Sequence, residues 1–107
     1  MDYLKKAELA IHYLAESEQE YARLYALDKY SKERMKMYLA TLETESNAKT
    51  VAAKLTEALA HPEYEQTVNS FETITEQYKA IAEKRRRAET TIEMYRSVNS
   101  ALKRGNI

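Results

Sequence analysis

The side chains that could do chemistry in this chain are concentrated in a run of four cations, Lys84 to Arg87. Four consecutive residues wrap a full helical turn, so some of these cations must point away from any buried face. Exposed Lys and Arg bind phosphate groups, and a neighbouring aromatic ring can stack on a nucleobase. Tyr95 and Arg96 add an aromatic ring and a guanidinium to the same stretch. The candidate nucleic-acid-binding residues are therefore Lys84, Arg86, Arg87, Tyr95, Arg96, Lys103 and Arg104.

The same cations also have a structural explanation. Glu16, Glu18 and Glu20 could neutralise the run at 84–87 from a second helix, with Glu18 paired to Arg85. Basic residues at the C-terminal end of a helix, such as Lys103, complement the negative end of the helix dipole. Seventeen basic and seventeen acidic residues cancel, so the total charge gives no electrostatic argument for nucleic acid. Both explanations stay open at the level of sequence.

A second group of candidate residues, Glu8, His12 and Glu16, is spaced at i, i+4 and i+8 on one helix face. This spacing could present metal ligands, but such a row on a solvated helix more often forms surface ion pairs. The chain has no Cys, no Gly-rich phosphate loop and no Ser/His/Asp or paired-acid pattern. We therefore expect no metal, no cofactor, no small-molecule substrate and no enzymatic activity.

The helix that carries the basic run has an apolar repeat of seven residues. The a positions begin at Tyr64 and the d positions at Thr67, and the repeat continues for more than five heptads. A seam of this kind must be buried against another helix, and polar a positions such as Arg85 and Asn99 set register or stoichiometry. The predicted seam comprises Phe71, Ile74, Tyr78, Ile81, Arg85, Ile92, Tyr95, Asn99 and Leu102.

The first part of the chain is also predicted to be helical. It contains no Gly or Pro until Pro62, and Asp2 is a suitable N-cap. Apolar residues recur there at helical spacing and predict a second buried stripe. The stripe begins with Leu4, Ala7, Ile11, Leu14, Tyr21 and Tyr25, and it continues with Leu24, Leu27, Met35, Tyr38 and Leu42.

Pro62 and Gly105 mark the remaining helix boundaries, because Pro opens helices and Gly caps their ends. We predict an all-α fold with long helices at about 3–44 and 62–103 and a short helix at about 50–60. Complementary charge favours an antiparallel, coiled-coil-like hairpin of the two long helices. The length of 107 residues predicts one domain, 1–107. Because such a hairpin has little core, we expect this domain to assemble with itself into an oligomeric bundle.

One resemblance adds to this interpretation. From Ala60 to Ile107 the chain resembles small helical proteins of tailed bacteriophages whose genes lie among early recombination and replication functions. The matching segments are His61-Pro62-Glu63-Tyr64 and Glu93-Met94-Tyr95-Arg96-Ser97-Val98-Asn99-Ser100-Ala101. The helical layout is also similar to that of phage recombination mediators, which bind single-stranded DNA and help to load a recombinase. The resemblance implies that Tyr95, Arg96 and Asn99 contribute to such a function.

Two functions are compatible with these features. The first is a non-enzymatic phage accessory protein of recombination or replication that contacts single-stranded DNA, a recombinase, or both through its basic C-terminal helix. The second is an inhibitor or adaptor that lays a helical face on a host or phage enzyme without binding DNA. No membrane-spanning run and no signal peptide pattern is present in the sequence, so we expect a cytoplasmic location, in the host if phage-encoded.

Overall fold

The computed structural model describes residues 2–105, which form four helices and no strand. The helices are α1 (Tyr3–Lys29), α2 (Ser31–Glu45), α3 (Val51–Leu59) and α4 (Pro62–Lys103). The prediction of an all-α fold is confirmed. The predicted boundaries at Asp2, Pro62 and Gly105 are confirmed as well. Asp2 Oδ1 accepts a hydrogen bond from the Lys5 N–H at 3.1 Å, and Gly105 has a φ of 71°.

The prediction of one helix from about 3 to 44 is wrong in one respect, because Tyr30 separates α1 from α2. Its backbone has φ −98° and ψ 7°, yet its N–H still donates to the Ala26 carbonyl at 3.2 Å. The hydroxyl of Ser31 donates to the Asp28 carbonyl at 2.8 Å. Such a local side-chain bond competes with the regular helical ladder, which gives a physical reason for the break.

The contacts divide the chain into two compact units. Unit 1 contains the chain up to Arg23 and from Lys79 onward, and unit 2 is Leu24–Tyr78. That these units make up a single domain stays a prediction.

In unit 1 the first part of α1 runs antiparallel to the last part of α4. Tyr21 contacts Arg85, whereas Leu14, earlier in α1, lines a groove with Ile92 and Arg96, later in α4. The buried residues are small, namely Ala7, Ala10, Ser17 and Ala88. Small side chains allow two helices to approach closely, so the pair is held by short contacts along a narrow strip.

Unit 2 pairs the end of α1 and all of α2 with the first part of α4, again antiparallel. The Thr75 hydroxyl donates to Asp28 Oδ1 at 2.6 Å, and the Tyr38 hydroxyl donates to Glu63 Oε2 at 2.9 Å. The hydrogen bond to the Glu63 carboxylate raises the pKa of Tyr38. The buried hydrophobic residues of this unit are Leu24, Leu42 and Ala58.

The buried face of α1 and α2 follows a seven-residue spacing that differs from the predicted stripe. Leu4, Ile11 and Tyr25 are exposed. The buried or half-buried positions with this spacing are Ala7, Ala10, Leu14, Ser17 and Tyr21 in unit 1, and Leu24, Asp28, Ser31, Met35, Tyr38 and Leu42 in unit 2. Three of these residues, Ser17, Asp28 and Ser31, are polar, and each makes a hydrogen bond there. Beside the positions with this spacing, Tyr13, Leu27, Leu39 and Glu43 are half-buried as well. On α4 the predicted seam positions are half-buried except for Leu102, which is exposed.

The short helix α3 depends on its N-cap. The Thr50 hydroxyl accepts a hydrogen bond from the Ala53 N–H at 3.1 Å. A nine-residue helix is too short to be stable alone, so the cap contributes directly to its formation. We expect Thr50→Ala to lower the free energy of unfolding by about 1 kcal/mol, measured by urea denaturation. Thr56→Ala is the matched control, since the Thr56 hydroxyl bonds within the same helix to the Ala52 carbonyl. An equal loss in both variants would contradict the capping role.

Candidate nucleic-acid interface

An open groove of about 360 Å³ lies between α1 and α4 in unit 1. Its floor is apolar, and three cations stand at its edges: Lys6 on α1, and Lys84 and Arg87 on α4. The complete lining is Lys6, Leu9, Ala10, Tyr13, Lys84, Arg87, Ala88 and Thr91. We call this the unit 1 groove. Ala10 and Ala88 are buried at the bottom of the groove, and the longer side chains of the lining rise on either side of them.

The cations of the unit 1 groove are held by weak contacts. The Lys84 ammonium lies 5.4 Å from the centre of the Tyr13 ring, a cation–π contact. Arg87 Nε lies 3.7 Å from Glu83 Oε1, and both side chains are well exposed. An exposed pair of this kind contributes little, because water and salt screen it. Lys6 is exposed and forms no ion pair within 4.0 Å among the described residues. The charge of all three groove cations is therefore accessible to an incoming anion.

Arg86 is bound on its own helix. Its guanidinium donates two hydrogen bonds to the Glu83 carboxylate, at 3.0 and 2.6 Å. These bonds lower the pKa of Glu83 and raise that of Arg86. Glu83 therefore carries a full negative charge at neutral pH, and it sets the side-chain position of Arg86.

Arg85 bonds to α1 through partners other than the predicted Glu18. Its Nη1 atom donates to the Leu14 carbonyl at 2.8 Å and to Ser17 Oγ at 2.6 Å. Its guanidinium carbon lies 4.8 Å from the centre of the Tyr21 ring. The predicted pair between Arg85 and Glu18 is wrong, because the guanidinium contacts Ser17 and Glu18 is exposed. Ser17 lies on the buried face of α1, one residue away, which is why it replaces the carboxylate.

The carboxylates of α1 do not neutralise the run at 84–87. Glu16 pairs with His12 at 2.7 Å, and Glu20 pairs with Arg23 at 2.6 Å. The Glu20 pair lowers the pKa of that carboxyl and raises the pKa of Arg23. Across residues 2–105, the contact of Glu16 with His12 and every Arg–Glu ion pair within 4.0 Å join residues of one helix. The same range contains no cluster of three or more His, Asp or Glu that could hold a metal.

The structure brings two of the seven candidate nucleic-acid residues, Lys84 and Arg87, into the unit 1 groove. Arg96 lines a separate groove together with Glu89 and Glu93. Tyr95 is half-buried, and Arg86, Lys103 and Arg104 are exposed outside both grooves.

Sequence reasoning missed Lys6 and Tyr13 as groove residues. Pairing the two long helices with their free ends level did not signal them, because it sets Glu16 to Glu20 opposite the run at 84–87. The groove instead joins Lys6 to Tyr13 of α1 with Lys84 to Thr91 of α4. The missed residues complete the site chemically, because they add a third cation and an aromatic ring to the two predicted cations.

Comparisons of the chain with protein-family models, with curated proteins and with solved structures found no match. Among the helices described for residues 2–105, none is long and apolar enough to cross a membrane.

Proposed function

We propose that this chain is a non-enzymatic protein that binds single-stranded nucleic acid in the unit 1 groove. One observation carries the proposal: three cations surround an apolar floor with an aromatic ring, and no carboxylate of α1 neutralises them. Lys6, Lys84 and Arg87 would contact phosphates, while Leu9 and Tyr13 would contact bases. This combination of a charged track and a stacking surface binds single strands with little sequence preference.

The groove cations can reach phosphates without unfolding either helix. The ammonium of Lys84 lies at the end of a flexible four-carbon side chain, so it can move from the Tyr13 ring to a phosphate oxygen. Arg87 can exchange its long contact with Glu83 for a bidentate bond to phosphate. Both movements release weak surface contacts and form stronger charged hydrogen bonds. The proposed binding therefore requires side-chain rearrangement only.

The resemblance to phage proteins supports a more specific proposal. We propose an accessory role in phage recombination or replication, in the host cytoplasm, in which the protein contacts single-stranded DNA, a recombinase, or both. Nucleic-acid binding without catalysis fits such a role, since a mediator positions other proteins on DNA and changes no covalent bond.

The test is a fluorescence titration with a labelled single-stranded oligonucleotide at several salt concentrations. We expect the affinity to fall with salt, because each phosphate contact contributes a log–log slope of about −0.7 on single strands. The double variant K84A/R87A should reduce the magnitude of that slope by about 1.4, which corresponds to two contacts. Far-UV circular dichroism should remain that of the wild type, since both side chains are exposed.

The matched control is K49A/K54A, which removes the same charge in unit 2. It should leave the salt slope unchanged if the unit 1 groove is the site. If the two double variants reduced the salt slope equally, the attraction of the oligonucleotide would be diffuse, and the assignment of the unit 1 groove as the binding site would be overturned. If the wild-type protein does not bind the oligonucleotide below about 100 μM at low salt, its affinity is weaker than that of ordinary non-specific binding, and the proposal is refuted.

A second candidate function, a protein-binding adaptor or inhibitor, is favoured by an exposed apolar row on α3. Val51, Leu55 and Leu59 lie at i, i+4 and i+8, and Val51 is 81% exposed. Three aliphatic side chains at this spacing form one face of a helix, the usual form of an anchor for a partner's groove. If the titration finds no nucleic-acid binding, the adaptor or inhibitor function becomes the preferred proposal.

We also propose that the predicted hairpin of long helices self-associates. The buried hydrophobic residues within 2–105 are four alanines and two leucines, which is a small core for the length of helix present. Burial of more apolar surface against a second copy would compensate for the entropy lost when these helices order.

A further inference from the structure

A second open groove lies in unit 2, between α2 and the first part of α4. It has a volume of about 430 Å³, and an adjoining groove of about 220 Å³ shares Lys32 and Met35 with it. The floor is apolar and half-buried, made by Met35, Leu39, Tyr64, Val68 and Phe71. We call the combined surface the unit 2 groove. On α2 the two grooves together extend from Ser31 to Leu39.

The two walls of the unit 2 groove carry opposite charge. Lys32 and Lys36 project from α2, whereas Glu72 and Glu76 project from α4. In each pair the residues are one helical turn apart, so the two rows have the same spacing. All four side chains are exposed, and within the described residues none forms an ion pair within 4.0 Å. The charges are therefore available to whatever covers the floor.

Two hydrogen bonds across unit 2 show which residues of α4 lie at the same level along the helix axis as residues of α1 and α2. Thr75 bonds to Asp28 at one level, and Tyr38 bonds to Glu63 at another. Because the helices are antiparallel, interpolation between these bonds puts Lys32 level with Ser70, two residues from Glu72. Lys32 and Glu72 thus stand at nearly the same height on opposite edges of one apolar strip, whereas Lys36 and Glu76 lie on opposite sides of that level.

From this arrangement we infer that the unit 2 groove is covered by the same groove of a second copy of this chain. A rotation of 180° about an axis parallel to the helices places α2 of one copy beside α4 of the other, at the same level. Lys32 of each copy then lies next to Glu72 of the other, and the apolar floors face each other. This is a four-helix bundle with an isologous interface, in which both edges are charge-complementary.

The alternative two-fold arrangement is disfavoured by the same charges. With the axis perpendicular to the helices, α2 would lie beside α2 of the second copy and α4 beside α4. In the register that brings the levels of Lys32 and Glu72 together, Lys32 would face Lys32 and Glu72 would face Glu72, which costs affinity. The inference deepens the self-association proposed above, and it is independent of nucleic-acid binding in unit 1.

The experiment is sedimentation equilibrium on the full chain and on two single variants, K32E and E72K. Wild-type protein should be a dimer of about 25 kDa, twice the chain mass of 12.5 kDa, at concentrations of about 10 to 100 μM. Each variant alone places like charges at both edges of its homodimer, so its dissociation constant should rise at least about tenfold. Because the changed side chains are exposed, helicity by circular dichroism should be unchanged in both.

Mixing the two variants in equal amounts provides the decisive measurement. In a dimer of one K32E chain and one E72K chain, both edges again pair opposite charges, so the 25 kDa species should return with near wild-type affinity. Failure of the mixture to dimerise would overturn the parallel two-fold arrangement. If both variants alone dimerised with the dissociation constant of the wild type, another surface would mediate self-association. A monomeric wild type would refute self-association itself, and the oligonucleotide titration would remain an independent result.

Discussion

Replacing Leu24 with alanine is expected to lower the free energy of unfolding by about 2 to 4 kcal/mol. Leu24 is 3% exposed and belongs to the small set of buried hydrophobic residues in unit 2. The variant loses the transfer free energy of the buried side chain and leaves a cavity that neighbouring helices fill only in part. Urea denaturation followed by circular dichroism measures the change, at a fixed protein concentration because self-association would add to the stability.

Leu9→Ala is the matched control, since Leu9 is the same residue type on the same helix and is 61% exposed. Its effect should stay within about 0.5 kcal/mol, as for most surface substitutions. The comparison tests the buried face of α1 directly. Equal destabilisation by the two variants would mean that α1 buries a face other than the one with Ala7, Ala10, Ser17 and Leu24.

Arg85→Ala is expected to lower the free energy of unfolding by about 1.5 to 3 kcal/mol, the range for hydrogen bonds to a charged group. The guanidinium supplies bonds to the Leu14 carbonyl and to Ser17 Oγ, and its removal also exposes the face of the Tyr21 ring. Ser17 is buried, so its hydroxyl would lose a donor without gaining water. Arg86→Ala is the matched neighbour and should cost less than about 0.5 kcal/mol, because Arg86 bonds only on the surface.

A double-mutant cycle separates the bond to Ser17 from the other effects of removing Arg85. Ser17→Ala alone also removes the bond from its hydroxyl to the Tyr13 carbonyl. If Arg85 and Ser17 interact as the distances indicate, the double variant should be more stable than the sum of the single losses predicts, by about 0.5 to 3 kcal/mol. Strict additivity would contradict a direct interaction between them. Arg85→Lys should recover part of the loss, since an ammonium cannot reproduce the planar guanidinium contact with Tyr21.

Much of the local structure could be predicted from the sequence because its causes are local. The carboxylate of Asp2 caps the start of α1, Pro62 opens α4, and Gly105 caps its end. The break at Tyr30 could not be predicted in the same way. It involves a hydroxyl-to-carbonyl bond between Ser31 and Asp28, and Ser residues form such bonds at many positions that remain helical.

The buried face of α1 and α2 shows the limit of periodicity. On α4 the apolar repeat follows the half-buried positions, so the sequence pattern was sufficient to propose a seam. On α1 and α2 the corresponding positions include Ser17, Asp28 and Ser31, which a count of apolar residues assigns to the solvent face. Those polar residues are tolerated because Arg85, Thr75 and nearby backbone carbonyls satisfy them. Arg85 and Thr75 come from a distant part of the chain, so the pattern of α1 alone does not contain these partners of Ser17 and Asp28.

The sequence by itself determined an all-helical chain, the start of α1, the start and end of α4, and a cluster of cations at 84–87. Only the tertiary structure decided what each cation does. Arg85 turns inward to Ser17, Arg86 is bound to Glu83, and Lys84 and Arg87 line a groove with residues of α1. The physical reason is that adjacent residues on a helix point about 100° apart. A run of identical charges therefore divides among a buried face, a surface pair and a groove, and the division depends on where the second helix lies.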